Sequence, residues 1–186
     1  MKHLAITVAL VLSTTTASAQ DTGFYAGLLA GTDLNSSHTG GSGNGDLADN
    51  SPRGIFAGYQ WTANAATLGV EIAHHTHTAE DSAGLGSSRW DLIDVNDLKF
   101  RAATDLGGAT IYGFVGYSSA KWADFGAIPE GINGLNFGVG VQADLTDRFF
   151  AGVELIQRNL SGTVESGSVN LDMTNREAVA RVGFNF

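Results

Sequence analysis

Read backwards from its last residue, the chain alternates strictly. Phe186, Phe184, Val182, Ala180 and Ala178 share one face of an extended segment; Asn185, Gly183, Arg181 and Glu177 share the other, with Val179 the large apolar exception. Successive side chains of a strand point to opposite faces, so this segment has an oily side and a charged side. The same period of two recurs along the chain. From Phe24, the series Phe24, Ala26, Leu28, Ala30 and Thr32 opposes Tyr25, Gly27, Leu29, Gly31 and Asp33. A second strand over 53–62 turns Ile55, Ala57, Tyr59 and Trp61 to the oily side. A third starts near Thr67, sets Leu68, Val70 and Ile72 against Gly69, Glu71 and Ala73, and frays past His77. The fourth sets Leu98, Phe100, Ala102 and Leu106 against Asp97, Lys99, Arg101 and Asp105. The fifth, over 109–122, reads either way, because Ile111, Val115 and Tyr117 qualify as its oily face and so do Tyr112 and Phe114. The sixth sets Leu135, Phe137, Val139, Val141, Ala143 and Leu145 against Asn136, Gly138, Gly140, Gln142 and Asp144. The seventh sets Phe149, Ala151, Val153 and Leu155 against Phe150, Gly152, Glu154, Ile156 and Arg158.

Counting the closing strand, this makes eight, with no helical period between them. Short turns fall at 63–66, at Gly107-Gly108 and at Thr146-Asp147; longer polar stretches fall at 36–51, 79–90, 123–130 and 161–173. Turns and long loops therefore sort to opposite ends. The pattern predicts an all-β fold, an eight-stranded antiparallel up-and-down transmembrane β-barrel, with the oily face on lipid and the charged face in the lumen. The strand lengths suit tilted spans of about 9–11 residues. A soluble lipocalin-like barrel in the periplasm is the rival, with the faces reversed. Aromatic positions favour the membrane: Phe24, Tyr59, Trp61, Phe149, Phe184 and Phe186 gather at the turn end, and Trp90 and Trp122 at the loop end, as interfacial girdles require.

The first residues carry an address. Met1-Lys2-His3 is a basic start, Leu4 to Leu12 an apolar core too short to span a bilayer as a helix, and Ala17-Ser-Ala19 a small-x-small cleavage site. This predicts a signal peptide over 1–19 and one barrel domain over 20–186. The chain has no Cys, so disulfides play no part in the oxidising compartment that an export signal implies. Its net charge of −9 becomes one unit more acidic when Lys2 leaves, which excludes a phosphate-binding surface for nucleic acid.

The signal peptide, the opening Gly23-Phe-Tyr-Ala-Gly27, the internal Phe137-Gly-Val-Gly-Val141 and the closing Arg181-Val-Gly-Phe-Asn-Phe186 together resemble a family: the small eight-stranded outer-membrane barrels related to the OmpA transmembrane domain, OmpX and the opacity-type surface antigens of the porin family. The resemblance spans essentially the whole mature chain. It implies a cell outer membrane location, contact with outer-membrane lipid and lipopolysaccharide, and recognition of Phe184 and Phe186 as the signal read by the barrel assembly machinery. It also implies a monomer, and external surface ligands that would reach the protein through its loops.

An eight-stranded ring is just wide enough for its own side chains to fill. The inward charges Glu71, Arg101, Glu154 and Arg181 are expected near mid-height, with Asp33, Lys99, Arg158 and Glu177 nearer the loops, acids and bases balanced as burial demands. This is either a polar plug or, with swapped pairings, a narrow gated channel. The run His74-His75-Thr76-His77, followed by Glu80 and Asp81, is the one ligand-like stretch; His75 and His77 would share a face and are the metal candidates, although no further ligand falls at a definite spacing. Barrels of this architecture include lipid A deacylases and palmitoyltransferases. The deacylase needs a His and a Ser near the chain end, and no His follows His77. Catalysis would have to use that run with Ser82 or Ser87. No cofactor and no catalytic residue is assigned. The expected role is structural, an envelope barrel displaying loops; adhesion or ligand binding through those loops, and a narrow channel, are the alternatives.

Overall fold

The computed structural model describes residues 22–40, 43–46, 50–63, 66–79, 90–124, 130–164 and 169–186. Residues 1–19, the expected signal peptide, lie outside them, as do Glu80, Asp81, Ser82 and Ser87. The strands are β1 (Gly23–Asp33), β2 (Ser37–Gly40), β3 (Gly43–Asp46), β4 (Asn50–Ala63), β5 (Ala66–Ala79), β6 (Trp90–Asp105), β7 (Thr110–Asp124), β8 (Glu130–Asp144), β9 (Phe149–Val164) and β10 (Val169–Asn185). Sheet order runs β1-β4-β5-β6-β7-β8-β9-β10, and β1 pairs with β10 to close an antiparallel ring of eight. The β2–β3 hairpin sits outside the ring and hangs on β10, where Ser37 stands opposite Thr174 and Gly40 opposite Leu171.

Burial is inverted relative to a water-soluble protein. Leu28, Ile72, Leu135 and Val139 are 57–61% exposed, whereas Glu71, Lys99, Glu154 and Arg158 are fully buried. Large exposed apolar side chains are unremarkable singly; a belt of them around every barrel strand, enclosing buried charges, is the signature of a lipid-facing wall. At the turn end the outer aromatics touch. Phe24 lies 4.8 Å from Tyr59, Tyr59 stacks on Trp61 at 6.3 Å, and Phe184 sits 5.0 Å from Phe149 and 5.2 Å from Phe186. Trp90 and Trp122 stand at the loop ends of β6 and β7.

Burial settles the open face of the fifth barrel strand: Tyr112 and Phe114 point inward, and Ile111, Val115 and Tyr117 outward. The aromatic face wins because the opposing strand leaves room for it. Tyr112 stands opposite Gly140 and Phe114 opposite Gly138 in the β7–β8 register. Three further inward rings repeat the arrangement, with Tyr25 opposite Gly58, Phe56 opposite Gly27 and Phe150 opposite Gly183. A Cβ on any of these five glycines would fall 2.2–2.5 Å from a ring atom, inside contact distance.

Three expectations need correction. The stretch 161–173 is not a loop: β9 continues to Val164 and β10 begins at Val169. The stretch 36–51 likewise contains the β2–β3 hairpin and the start of β4, since backbone pairing with β10 makes sheet from residues with no apolar alternation of their own. The barrel strands of 14–17 residues from β4 onward exceed a span of about 9–11, so they rise beyond the apolar belt on the loop side. Two of the turns behave as read, and Asn64 and Ala65 of the third lie outside the described residues. Gly107 and Gly108 both adopt positive φ, 65° and 115°, in the two-residue hairpin between β6 and β7. Thr146 Oγ1 accepts the Phe149 N–H at 3.0 Å in the next turn.

Candidate functional site in the barrel lumen

Every barrel strand sends a side chain into a first cluster near the turn side. Lys99 on β6 stands opposite Glu71 on β5 and bridges two carboxylates, Glu154 at 2.5 Å and Glu71 at 3.4 Å. Arg181 from β10 also spans both, with Nη2 2.6 Å from Glu71 Oε2 and Nη1 on Glu154. Arg101 donates to Glu71 at 3.1 Å, to the Tyr25 hydroxyl at 2.8 Å and to Gln142 at 3.1 Å. The two tyrosines complete the coordination: Tyr25 donates to Glu71 and Tyr112 to Glu154, each at 3.0 Å. Rings cover the cations, Phe56 lying 3.9 Å from the Arg181 guanidinium and Tyr112 3.9 Å from that of Arg101. Two carboxylates thus meet three cations, and the aromatic faces soften the surplus positive charge.

A second cluster lies one step toward the loops. Arg158 on β9 forks onto Asp97 on β6, Nε to Oδ1 at 3.1 Å and Nη2 to Oδ2 at 2.8 Å. Its Nη1 reaches Glu177 at 2.9 Å and Asn175 at 2.7 Å. His75 lies between the carboxylates, 3.2 Å from Asp97 and 3.5 Å from Glu177, and His77 Nε2 is 2.8 Å from Glu177. Ser118 donates to Asp97 at 2.6 Å, and Asn136 to Ser118 at 2.8 Å. Asn175 donates to Ser36 at 3.0 Å, which donates to Asp33 at 2.5 Å. Here two fully buried carboxylates meet one arginine, and the histidines occupy the side of the lumen where strong cations are fewer.

Apolar side chains are buried beside the charges. Tyr25, Leu29, Phe56, Ala73, Phe150 and Val179 form one buried group, and Tyr112, Phe114 and Ile156 another across the lumen. At the loop end, Leu92, Val95, Ala120, Ile132, Leu160, Leu171 and Met173 close into a third. A β-bulge makes this last layer possible: the β6–β7 register shifts between Leu92 and Val95, so two residues three apart both point inward.

The structure brings Glu71, Lys99, Arg101, Glu154 and Arg181 together in one cluster and Arg158 with Glu177 in the other. Lys99 is one inward step nearer the loops than Arg101, but it joins the first cluster rather than that of Arg158, because its register partner is Glu71. Asp33 is only partly buried and meets the second cluster through Ser36 and Asn175. His75 and His77 stack 6.5 Å apart and engage carboxylates; among the described residues no group of three or more His, Cys, Asp or Glu is arranged to hold a metal. Phe184 and Phe186 stand at the turn end of β10, on the outer wall. Sequence reasoning missed Asp97 as a network member, although it is in phase with Lys99 and Arg101. It also missed the hydroxyls of Tyr25 and Tyr112, whose rings read as apolar, and Asn175, which continues the phase of Glu177 one inward step further toward the loops.

Comparison with known proteins places this geometry. A family profile described as an outer membrane protein beta-barrel domain matches residues 4–186. Neisserial surface protein A (NspA) has a similar crystal structure, with a TM-score of 0.56, 18% sequence identity, and coverage of 88% of this chain and 97% of that one. The N-terminal beta-barrel domain of Pseudomonas aeruginosa OprF is similar with a TM-score of 0.52, 16% identity, and coverage of 89% and 100% respectively. Identities this low speak to the fold. No curated protein matches the chain.

Proposed function

Since this chain belongs to the outer membrane protein β-barrel family and its barrel lies in the outer membrane, we propose that it serves there as a closed structural barrel that holds a loop-end surface outside the cell, with neither a diffusion pore nor catalysis. The observation that carries this reading is the set of side chains turned inward: all eight barrel strands contribute, and the carboxylates Glu71, Glu154, Asp97 and Glu177 are all paired with cations. A continuous water path would have to displace these pairs and the apolar layer above them. Catalysis would need a nucleophile beside an oriented, accessible base; His75 and His77 are instead buried against carboxylates. Outer-membrane lipid and lipopolysaccharide face the apolar belt of this monomeric barrel, and Phe184 and Phe186 serve the assembly machinery.

Purified protein reconstituted in planar bilayers is expected to give no sustained conductance above the lipid baseline. Steady unitary steps would overturn the closed-lumen reading. The same reading has residues 1–19 removed on export, so intact mass measured on protein taken from the envelope should correspond to a chain starting at Gln20. A mass that still includes residues 1–19 would refute the cleavage.

A further inference from the structure

Apart from the lumen, the outer wall carries a groove of about 870 Å3 that crosses β1, β4, β5, β6 and β7. Two small outward side chains, Ala26 and Ala57, stand opposite each other in its floor. Leu28, Ile55, Ile72 and Leu98 line it, each 40–61% exposed and part of the lipid-facing belt. Toward the loops the lining turns polar. His74 stands opposite Asn96, and Asn96 opposite Ser119, in one row across three strands. The His74 Nδ1 lies 2.9 Å from Asn96 Oδ1, and Thr76 Oγ1 lies 3.4 Å from His74 Nε2. Arg53, exposed on β4, is the register partner of Thr76 and so stands at the loop-side edge of this polar row.

The groove therefore begins within the hydrocarbon depth and ends at the depth where headgroups start. With turns on the periplasmic side, that end lies in the outer leaflet. An apolar trough by itself would accept the tail of any lipid. A guanidinium at its head adds a choice, because arginine pairs with phosphate oxygens through a planar fork, and the outer leaflet of a Gram-negative envelope presents phosphorylated glycolipid. We propose that the groove seats one acyl chain of an outer-leaflet phosphorylated glycolipid, with Arg53 and the His74–Asn96 pair meeting its headgroup. This rests on the loop-outward orientation of the reading above and adds to it a lipid site.

The test uses the full exported chain, folded in micelles with lipid A and an excess of phosphatidylglycerol, and analysed by native mass spectrometry. Wild type is expected to retain one lipid A. Ala57→Leu, which fills the floor, and Arg53→Gln, which removes the fork, should each reduce retention by roughly tenfold, a change of about 1.4 kcal/mol. Ala143→Leu, facing outward on β8 and away from the groove, should retain lipid A as wild type does. Equal retention of phosphatidylglycerol, or undiminished retention by Ala57→Leu, would overturn the proposal. A heat-shift gel on every variant identifies any barrel that has not folded. A barrel that conducts yet still retains lipid A would sink the closed-lumen reading and leave this one standing.

Discussion

Arg158→Met is expected to cost about 3–5 kcal/mol of unfolding free energy, the usual penalty for stripping a buried charge of its partner. Arg158 is fully buried and supplies five hydrogen-bonding N–H groups at the centre of the second cluster. Its removal leaves Asp97 and Glu177 with His75 and His77 as their basic partners among the described residues. A methionine fills most of the volume, so the loss reports the orphaned carboxylates rather than a cavity. Arg158→Lys keeps the charge but cannot fork onto Asp97, and should lose less than half as much. Urea titration in detergent micelles, followed by tryptophan fluorescence, measures both. A methionine variant within about 1 kcal/mol of wild type, the range of ordinary substitutions, would show that the network contributes little to holding the barrel together.

The second large effect concerns a residue with no side chain. Gly183→Ala would put its Cβ 2.2 Å from Cζ of Phe150, with Cε1 and Cε2 at 2.6 and 2.9 Å. The ring has little freedom to retreat, because Tyr25 packs edge-on against it at 6.3 Å and Phe56 lies at 6.2 Å. Overpacking of this kind costs about 1–3 kcal/mol. Gly113→Ala is the matched control, since its Cβ would meet nothing nearer than 3.8 Å. Combining Gly183→Ala with Phe150→Leu should cost at least ~1 kcal/mol less than the sum of the two, the coupling expected of residues in contact. Strict additivity in that cycle would mean that ring and glycine do not share the space.

Much of the barrel was legible because its two faces differ in kind. Residues such as Leu135, Phe137 and Val139 on one side of β8, and Asn136 and Gln142 on the other, announce both the strand and its inward face. The reading fails where that contrast disappears. In β7, Tyr112 and Ile111 are both apolar, and only the glycines of β8 decide between them. Ser37 to Gly40 carry no alternation at all, and their strand exists because β10 extends far enough to pair with them. The bulge between Leu92 and Val95 breaks the period of two, so one of the pair falls out of phase in any strict alternation. The lumen was half legible: charge marked Glu71 and Arg181, but no sequence rule reports how far tilted strands slide past one another. That slide places Lys99 with Glu71 rather than with Arg158.

The buried apolar layer of Leu92, Val95, Ile132, Leu160 and Met173 has a consequence that the ion pairs do not. Exchanging partners among the charges would let water into the clusters below, but on the loop side that water would meet the hydrocarbon that β6, β7, β8, β9 and β10 turn inward. Apolar linings oppose ions by dewetting, with no charge involved. Under the closed-lumen proposal, the barrel would thus resist leakage in two unrelated ways, one electrostatic and one capillary. On that proposal, salt or acid that loosens the first leaves the second in place, so leakage would take two failures rather than one.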